Sequence, residues 1–259
     1  MDKQIGAQFY TIREHTRTLE DFEVSCQKIA KIGYKNVQIS GTPLAAKDMR
    51  PVLDHYGLRC VTSHKGYSDF TDRLDDVIEY NRTLGCDLCG LGSMPLDHCK
   101  SDEGVTAFLK SMESLCQRLK QEGLYFGYHN HAFEFVRLPG GIPFDRLVNE
   151  TDPEVFHFIV DTYWIQVGGR TPQDVIKALG RRAMAVHLKD YTVLVDGWDQ
   201  KAKMTHIGDG SLDWTAILAA CEQAGSRWAI VEQDDNHFNN DPFESLALSY
   251  QYLTAKGFC

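Results

Sequence analysis

The amino-acid sequence predicts an α/β protein, a single (β/α)8 TIM barrel with residues 1–259 as one domain. Three observations carry this expectation. Short apolar runs alternate with amphipathic segments eight times, with no long unexplained stretch between them. The length of 259 residues matches the size of such a barrel, about 250 residues. Three apolar runs also stop at one polar group: residues 156–160 at Asp161, 183–186 at His187 and 228–231 at Glu232. Strands of a parallel barrel are apolar along their length and turn polar where their C-terminal tips reach the mouth.

The elements follow in order. The first strand is assigned to residues 5–10, and its helix opens at Thr18 with Asp21 three positions on, as in a capping box. Leu19, Phe22, Cys26, Ile29 and Ile32 recur at helical spacing as the buried stripe, and Gly33 ends the helix. Residues 34–39 form the second strand and 48–56 its helix, closed by Gly57; residues 58–63 form the third strand, tipped by His64. A helix over 69–84 closes on Gly85, the fourth strand covers 86–91, and the longest helix covers 102–122. The fifth strand is 124–129, followed by a turn at 138–141 and a short helix at 144–149.

The sixth strand is 155–160. Its helix starts at Thr171, with Pro172 at the first helical position and Asp174 at the third. The seventh strand is 183–188. Residues 189–210 show no clear periodicity and read as a functional loop, a lid. A helix over 212–224, the eighth strand over 228–231 and a last helix capped by Asp241 complete the chain.

Composition narrows the function. Against 27 Lys and Arg stand 36 Asp and Glu, a net charge of -9, which opposes the basic surface that nucleic acid or an anionic membrane requires. No run approaches the roughly 18 apolar residues of a membrane span, and the first residues lack the apolar core of a signal peptide. The expectation is a cytoplasmic protein with a small-molecule partner, with homo-oligomerisation left open. The eight cysteines then read as reduced thiols. Cys86 and Cys89 form a CxxC inside an apolar run, without a second pair at zinc-finger spacing.

Right-handed βα connections bring the C-terminal tips to one mouth, so distant residues converge there. The fifth strand ends in Tyr128-His129-Asn130-His131, with Glu134 shortly after. The tips therefore offer Glu134, Asp161, His187 and Glu232, with His129 or His131 as alternative ligands from the fifth strand. Three carboxylates and an imidazole suit one divalent metal, Mn²⁺ first, with Mg²⁺, Zn²⁺ or Co²⁺ as alternatives. Asp161 and Glu232 each end an apolar run and, ionised, would otherwise be buried unpaired at high cost. His64, His129, Asn130, His131, Tyr163, Trp164 and His206 fall at tips or in the long loop, where a small-molecule substrate finds hydrogen bonds and an aromatic face. Gly208-Asp209-Gly210 has the glycines of a phosphate loop, but Asp209 would repel the anion, and a plain turn is expected.

The order Gly6 to Arg13, Tyr128-His129-Asn130-His131 with Glu134-Phe135, Val160-Asp161-Thr162-Tyr163-Trp164, His187-Leu188-Lys189-Asp190, Gly208-Asp209-Gly210 and Val231-Glu232 resembles the xylose-isomerase-like TIM-barrel superfamily, the sugar phosphate isomerase/epimerase group. The resemblance implies one divalent metal held by Glu134, Asp161, His187 and Glu232. Many members carry the first Glu directly at the tip of strand five, where this chain has His129. It also implies sugar isomerase or epimerase chemistry, with Glu134 and Glu232 moving the proton on either side of an enediolate and Lys189 assisting. Loss of a β-substituent from the same enediolate would instead make the protein a dehydratase or lyase. A non-catalytic sugar-binding protein, an amidohydrolase and a metallonuclease fit less well: the ligand types are complete, the His-x-His pair lies at strand five, and the charge is acidic.

Overall fold

Eight parallel strands close on themselves in the computed structural model, which describes residues 3–258. The first half runs β1 (Gly6–Gln8), α1 (Leu19–Ile32), β2 (Asn36–Ile39), α2 (Ala46–His55), β3 (Arg59–Lys65), α3 (Tyr67–Asp72), α4 (Leu74–Leu84), β4 (Leu88–Leu91), α5 (Asp102–Gln121) and β5 (Tyr125–His129). The second runs α6 (Pro143–Asn149), β6 (Phe156–Asp161), α7 (Thr162–Val167), α8 (Pro172–Leu179), β7 (Ala183–Leu188), β8 (Asp190–Asp196), β9 (Asp199–Thr205), α9 (Trp214–Ala224), β10 (Trp228–Val231) and α10 (Pro242–Ala255). The barrel order is β1, β2, β3, β4, β5, β6, β7, β10, and β10 returns to β1 with Gly6 opposite Ile230. The ends of the described chain also meet, for the Lys3 ammonium lies 5.8 Å from the Phe258 ring.

Two apolar clusters divide the interior. The larger lies between the barrel and its helices. The smaller, Val61, Leu88, Ile159, Met184, Ala185, Trp228 and Ile230, draws only on strands and plugs the barrel. The polar residues buried at the strand tips therefore sit on an apolar floor. A bulge assists at one tip: β2 pairs Val37 with Cys60 but Gln38 with Thr62, leaving Val61 as the extra residue.

Caps explain where helices begin. Thr18 Oγ1 accepts from the Asp21 amide at 3.1 Å and donates to Asp21 Oδ2 at 2.8 Å, as the spacing predicts. Asp241 likewise accepts from Phe243 N at 2.8 Å. Thr171 stands at the expected N-cap position, but its side chain makes no capping hydrogen bond, so Pro172 and the first-turn Asp174 favour that helix start.

Three elements depart from the sequence reading. The helix expected over 69–84 is two, broken at Arg73 (φ -142°, ψ 44°). The short α7, directly after β6, was not anticipated; Asp161 Oδ1 caps it by accepting from Trp164 N at 2.9 Å. The expected lid over 189–210 is largely an antiparallel hairpin, β8 against β9, paired from Asp190–Thr205 out to Asp196–Asp199. Gly197 supplies the positive φ (60°) of its turn. No helix among the described residues is long and apolar enough to cross a membrane.

Candidate metal centre and pocket

The tips of β5, β6, β7 and β10 bring His129, Asp161, His187 and Glu232 together, one ligand atom of each within 4.8 Å of the others, and all four are buried. Asp161, His187 and Glu232 are the tips predicted from sequence. Glu134, expected in the ligand set, lies outside this cluster. After β5 the chain tightens into a 3₁₀ turn, Phe133–Phe135, that folds Glu134 back beneath the loop. There its carboxylate accepts from the Tyr128 hydroxyl at 2.5 Å and the His131 amide at 2.7 Å. Burial pushes Glu134 up to about 7 despite those donors. The strand tip itself presents His129.

The surroundings of the two imidazoles fix which nitrogen faces inward. His129 Nδ1 lies 3.0 Å from the Gly92 carbonyl, so Nε2 turns to Asp161 Oδ2 at 3.3 Å. His187 Nε2 lies 2.7 Å from Gln38 Oε1, leaving Nδ1 toward Glu232. Metal-bound histidines are oriented in this way, with the second ring nitrogen donating to a carbonyl or carboxylate. His187 Nδ1 and Glu232 Oε2 stand 2.7 Å apart, deep in the site. Two such atoms converging in a buried site, beside a second imidazole and a second carboxylate, fit a divalent cation.

Lys189 completes the electrostatics. Its ammonium is 3.0 Å from Asp161 Oδ2, 2.9 Å from Glu232 Oε2 and 3.0 Å from Asp234 Oδ2. Burial opposes its charge, but the three carboxylates outweigh that and raise its pKa well above the usual value. Burial likewise works against the Glu232 carboxylate, yet Lys189 and the imidazoles hold it well below the usual range. Asp234 is raised to about 6 by burial and by the Glu232 charge.

Above these groups opens a cavity of about 530 Å³, whose wall includes His64, His129, His131, Lys189, Glu232 and Asp234. His64 packs 5.0 Å from the His129 ring and 5.3 Å from the His187 ring, and burial keeps it neutral. Gly90 makes room for it, since a Cβ there would lie 2.5 Å from His64 Cδ2. Burial lowers His131 to about 3. Trp164 packs against His131 at 5.5 Å with its ring tilted by 40°, and lies 5.8 Å from the Lys189 ammonium. Tyr163 is buried against Trp164. Asn130 supports the site from behind, its Oδ1 accepting from the Asp161 amide at 3.0 Å. His206 packs on Phe238 and is not in the cavity wall.

Sequence reasoning missed Gln38, Asp234, Tyr10 and Tyr67, all of which touch the site or its cavity. Gln38 carried only a weak signal, a polar residue between Val37 and Ile39 near the tip of the second strand. Asp234 carried none, lying in the polar stretch 233–236. The glycine loop is a turn rather than an anion site. Asp190 accepts from the Gly208, Gly210 and Leu212 amides at 3.0, 3.2 and 3.3 Å and from the Trp214 indole at 2.6 Å, so the donors a phosphate would need are taken. The seven described cysteines are free and buried, and burial raises the Cys89 thiol, which gives the CxxC no reactive thiolate.

Comparison with known proteins follows the same lines. The sequence profile described as xylose isomerase-like TIM barrel matches residues 26–253. An inosose dehydratase of Lacticaseibacillus casei is 26% identical over 167 residues, which cover 60% of this chain and 55% of that one. The match therefore spans little more than half of that relative. Another inosose dehydratase, of Geobacillus kaustophilus, is 26% identical over 267 residues, covering 87% of this chain and 84% of the relative. Among solved structures, a sugar phosphate isomerase/epimerase of Parabacteroides distasonis superposes with a TM-score of 0.82 at 23% identity, over 98% of this chain and 94% of that one.

Proposed function

Because the chain belongs to the xylose isomerase-like TIM barrel family, we propose that it removes a proton beside the ketone of a keto-sugar or keto-cyclitol and expels water from the next carbon, as a dehydratase. The observation that carries this reading is the grouping of the Glu232 and Asp234 carboxylates around the Lys189 ammonium, within 3.0 Å, at the cavity wall. Two-base epimerisation calls for carboxylates on opposite sides of the substrate, and Glu134 is not available for the second side. Elimination from one face needs a single proton-transfer group. The relatives named inosose dehydratase support the same substrate class.

The residues divide the work as follows. A divalent ion held by His129, Asp161, His187 and Glu232 would supply Lewis-acid polarisation of the ketone. Two imidazoles and two carboxylates suit Mn²⁺, Zn²⁺ or Co²⁺ better than Mg²⁺. Asp234, raised to about 6, is ionised at neutral pH yet basic enough to take the α-proton. The same carboxyl then returns that proton to the departing β-hydroxyl, which leaves as water, and the carboxylate is restored. Lys189 stays charged beside it and balances the developing anion. His64 and His131 line the cavity around the ring of the substrate, with Trp164 packed behind His131.

Isomerisation or epimerisation of the same ketone is the second reading. It draws on His64 Nε2 and His131 Nδ1, buried nitrogens without partners whose residues line the cavity and which would return the proton instead.

Incubation of metal-loaded protein with inososes and keto-sugars in D₂O separates the readings. Dehydration yields an enolic, near-ultraviolet-absorbing product and releases water, whereas epimerisation incorporates deuterium with the formula otherwise unchanged. Asp234→Asn should keep its metal and lose roughly 100-fold or more in rate, while Glu232→Gln should lose metal as well. An unchanged rate in Asp234→Asn, or silence across the whole panel, would sink the proposal.

A further inference from the structure

Two of the three carboxylates that hold Lys189 are also in the candidate ligand set. Its ammonium contacts the Asp161 and Glu232 oxygens that approach His129 and His187. The third, Asp234, lies outside the set, at the wall of the cavity, with its side chain 24% exposed. A cation bound by those two oxygens would lie in close contact with the ammonium, and like charges at that range repel strongly in a buried site. The backbone of Lys189 has little freedom to give way, since its amide donates to Thr162 Oγ1 at 2.9 Å and its carbonyl accepts from the same hydroxyl at 2.9 Å. The side chain is free to do so, because the cavity opens on the Asp234 side.

We propose that Lys189 is an internal competitor for the cation site: its ammonium shares Asp161 and Glu232 with the divalent ion, and withdraws to Asp234 alone when the ion binds. The inference rests on the reading that the four tips bind a metal, but not on the reaction. It makes metal affinity weaker than the donor set would give, and adjustable through a residue that is no ligand. It also gives Asp234 a second role, as the anchor of the displaced lysine.

The test is a double-mutant cycle on the full chain, read by calorimetric titration with MnCl₂ and with ZnCl₂. Lys189→Met should bind each ion at least tenfold more tightly than the wild type. Asp234→Asn should bind severalfold more weakly, and the effect of Asp234→Asn should vanish in the Lys189→Met background. In EDTA, Lys189→Met should melt lower than the wild type and gain more on addition of metal. Equal or weaker affinity in Lys189→Met overturns the competition while leaving the metal reading intact. No binding by the wild type or any variant overturns both. Should Lys189→Met fail to fold, lysine-¹³C-labelled wild-type protein decides the matter, because the Lys189 ε-carbon resonance must move on addition of ZnCl₂, and a fixed resonance refutes the proposal.

Discussion

At the scale of single residues, the centre depends as much on what lies behind the ligands as on the ligands. Gln38 touches no ligand position of its own, yet its carbonyl oxygen holds His187 at 2.7 Å and selects the inward nitrogen. Gln38→Leu should keep the fold and lower divalent affinity by roughly 10- to 100-fold, read by metal titration. Glu134 makes a different prediction. Its native pKa of about 7 lies above the ordinary 4.5, so the folded state binds a proton that the unfolded chain has released between those values. Its contribution to stability is therefore complete below about pH 4.5 and is lost as pH rises through about 7, on the order of 3 kcal/mol in all. Urea melts across that window should show the wild type losing stability relative to Glu134→Gln, a neutral isostere, as pH rises. A constant difference would contradict the assignment. These two residues also show what was legible. Asp161, His187 and Glu232 could be read because each interrupts a buried run. That His129 rather than Glu134 stands with these three depends on a 3₁₀ turn, Phe133–Phe135, that leaves no periodic trace.

At the scale of elements, strands such as β7 and β10 were legible because buried parallel strands are largely apolar, and the rest by their regular alternation with amphipathic helices. The breaks were not. Arg73 interrupts α3 and α4 with a backbone conformation that no composition signal announces, and α7 is too short to show a stripe. The hairpin of β8 and β9 escaped for another reason. Its outer residues meet solvent on both faces, with Val193, Leu194, Val195 and Trp198 exposed, so no alternation marks them. Only its root is tied to the barrel, through Asp190, Met204 and Thr205. Replacing residues 193–202 by a short turn should therefore move the melting temperature by only a few degrees, as expected for a loss under about 1 kcal/mol. A drop beyond 10 °C, a shift of about 2.5 kcal/mol or more, would show that the arm is part of the fold.

At the scale of the whole molecule, the division between the apolar plug and the polar mouth decides where chemistry takes place. The interior cluster from Val61 to Ile230 fills one end of the barrel, and every group of the candidate centre sits at the other. The acidic balance of the sequence is partly concentrated there, in Asp161, Glu232 and Asp234, which fits a site for cations and neutral polyols better than one for nucleic acid.

Closure of the barrel has a consequence for the order of the chain itself. Since β1 pairs with β10 and Lys3 meets Phe258, the positions where the described polypeptide starts and stops are neighbours in space. A circular permutant that joins them through a few glycines and opens the chain between Gly197 and Trp198 interrupts no barrel strand pair. It should fold and retain its metal affinity. Circular dichroism and the same calorimetric titration would check both. The barrel would then read as a ring whose beginning is a matter of convention, with its four ligand tips indifferent to where the ring is cut.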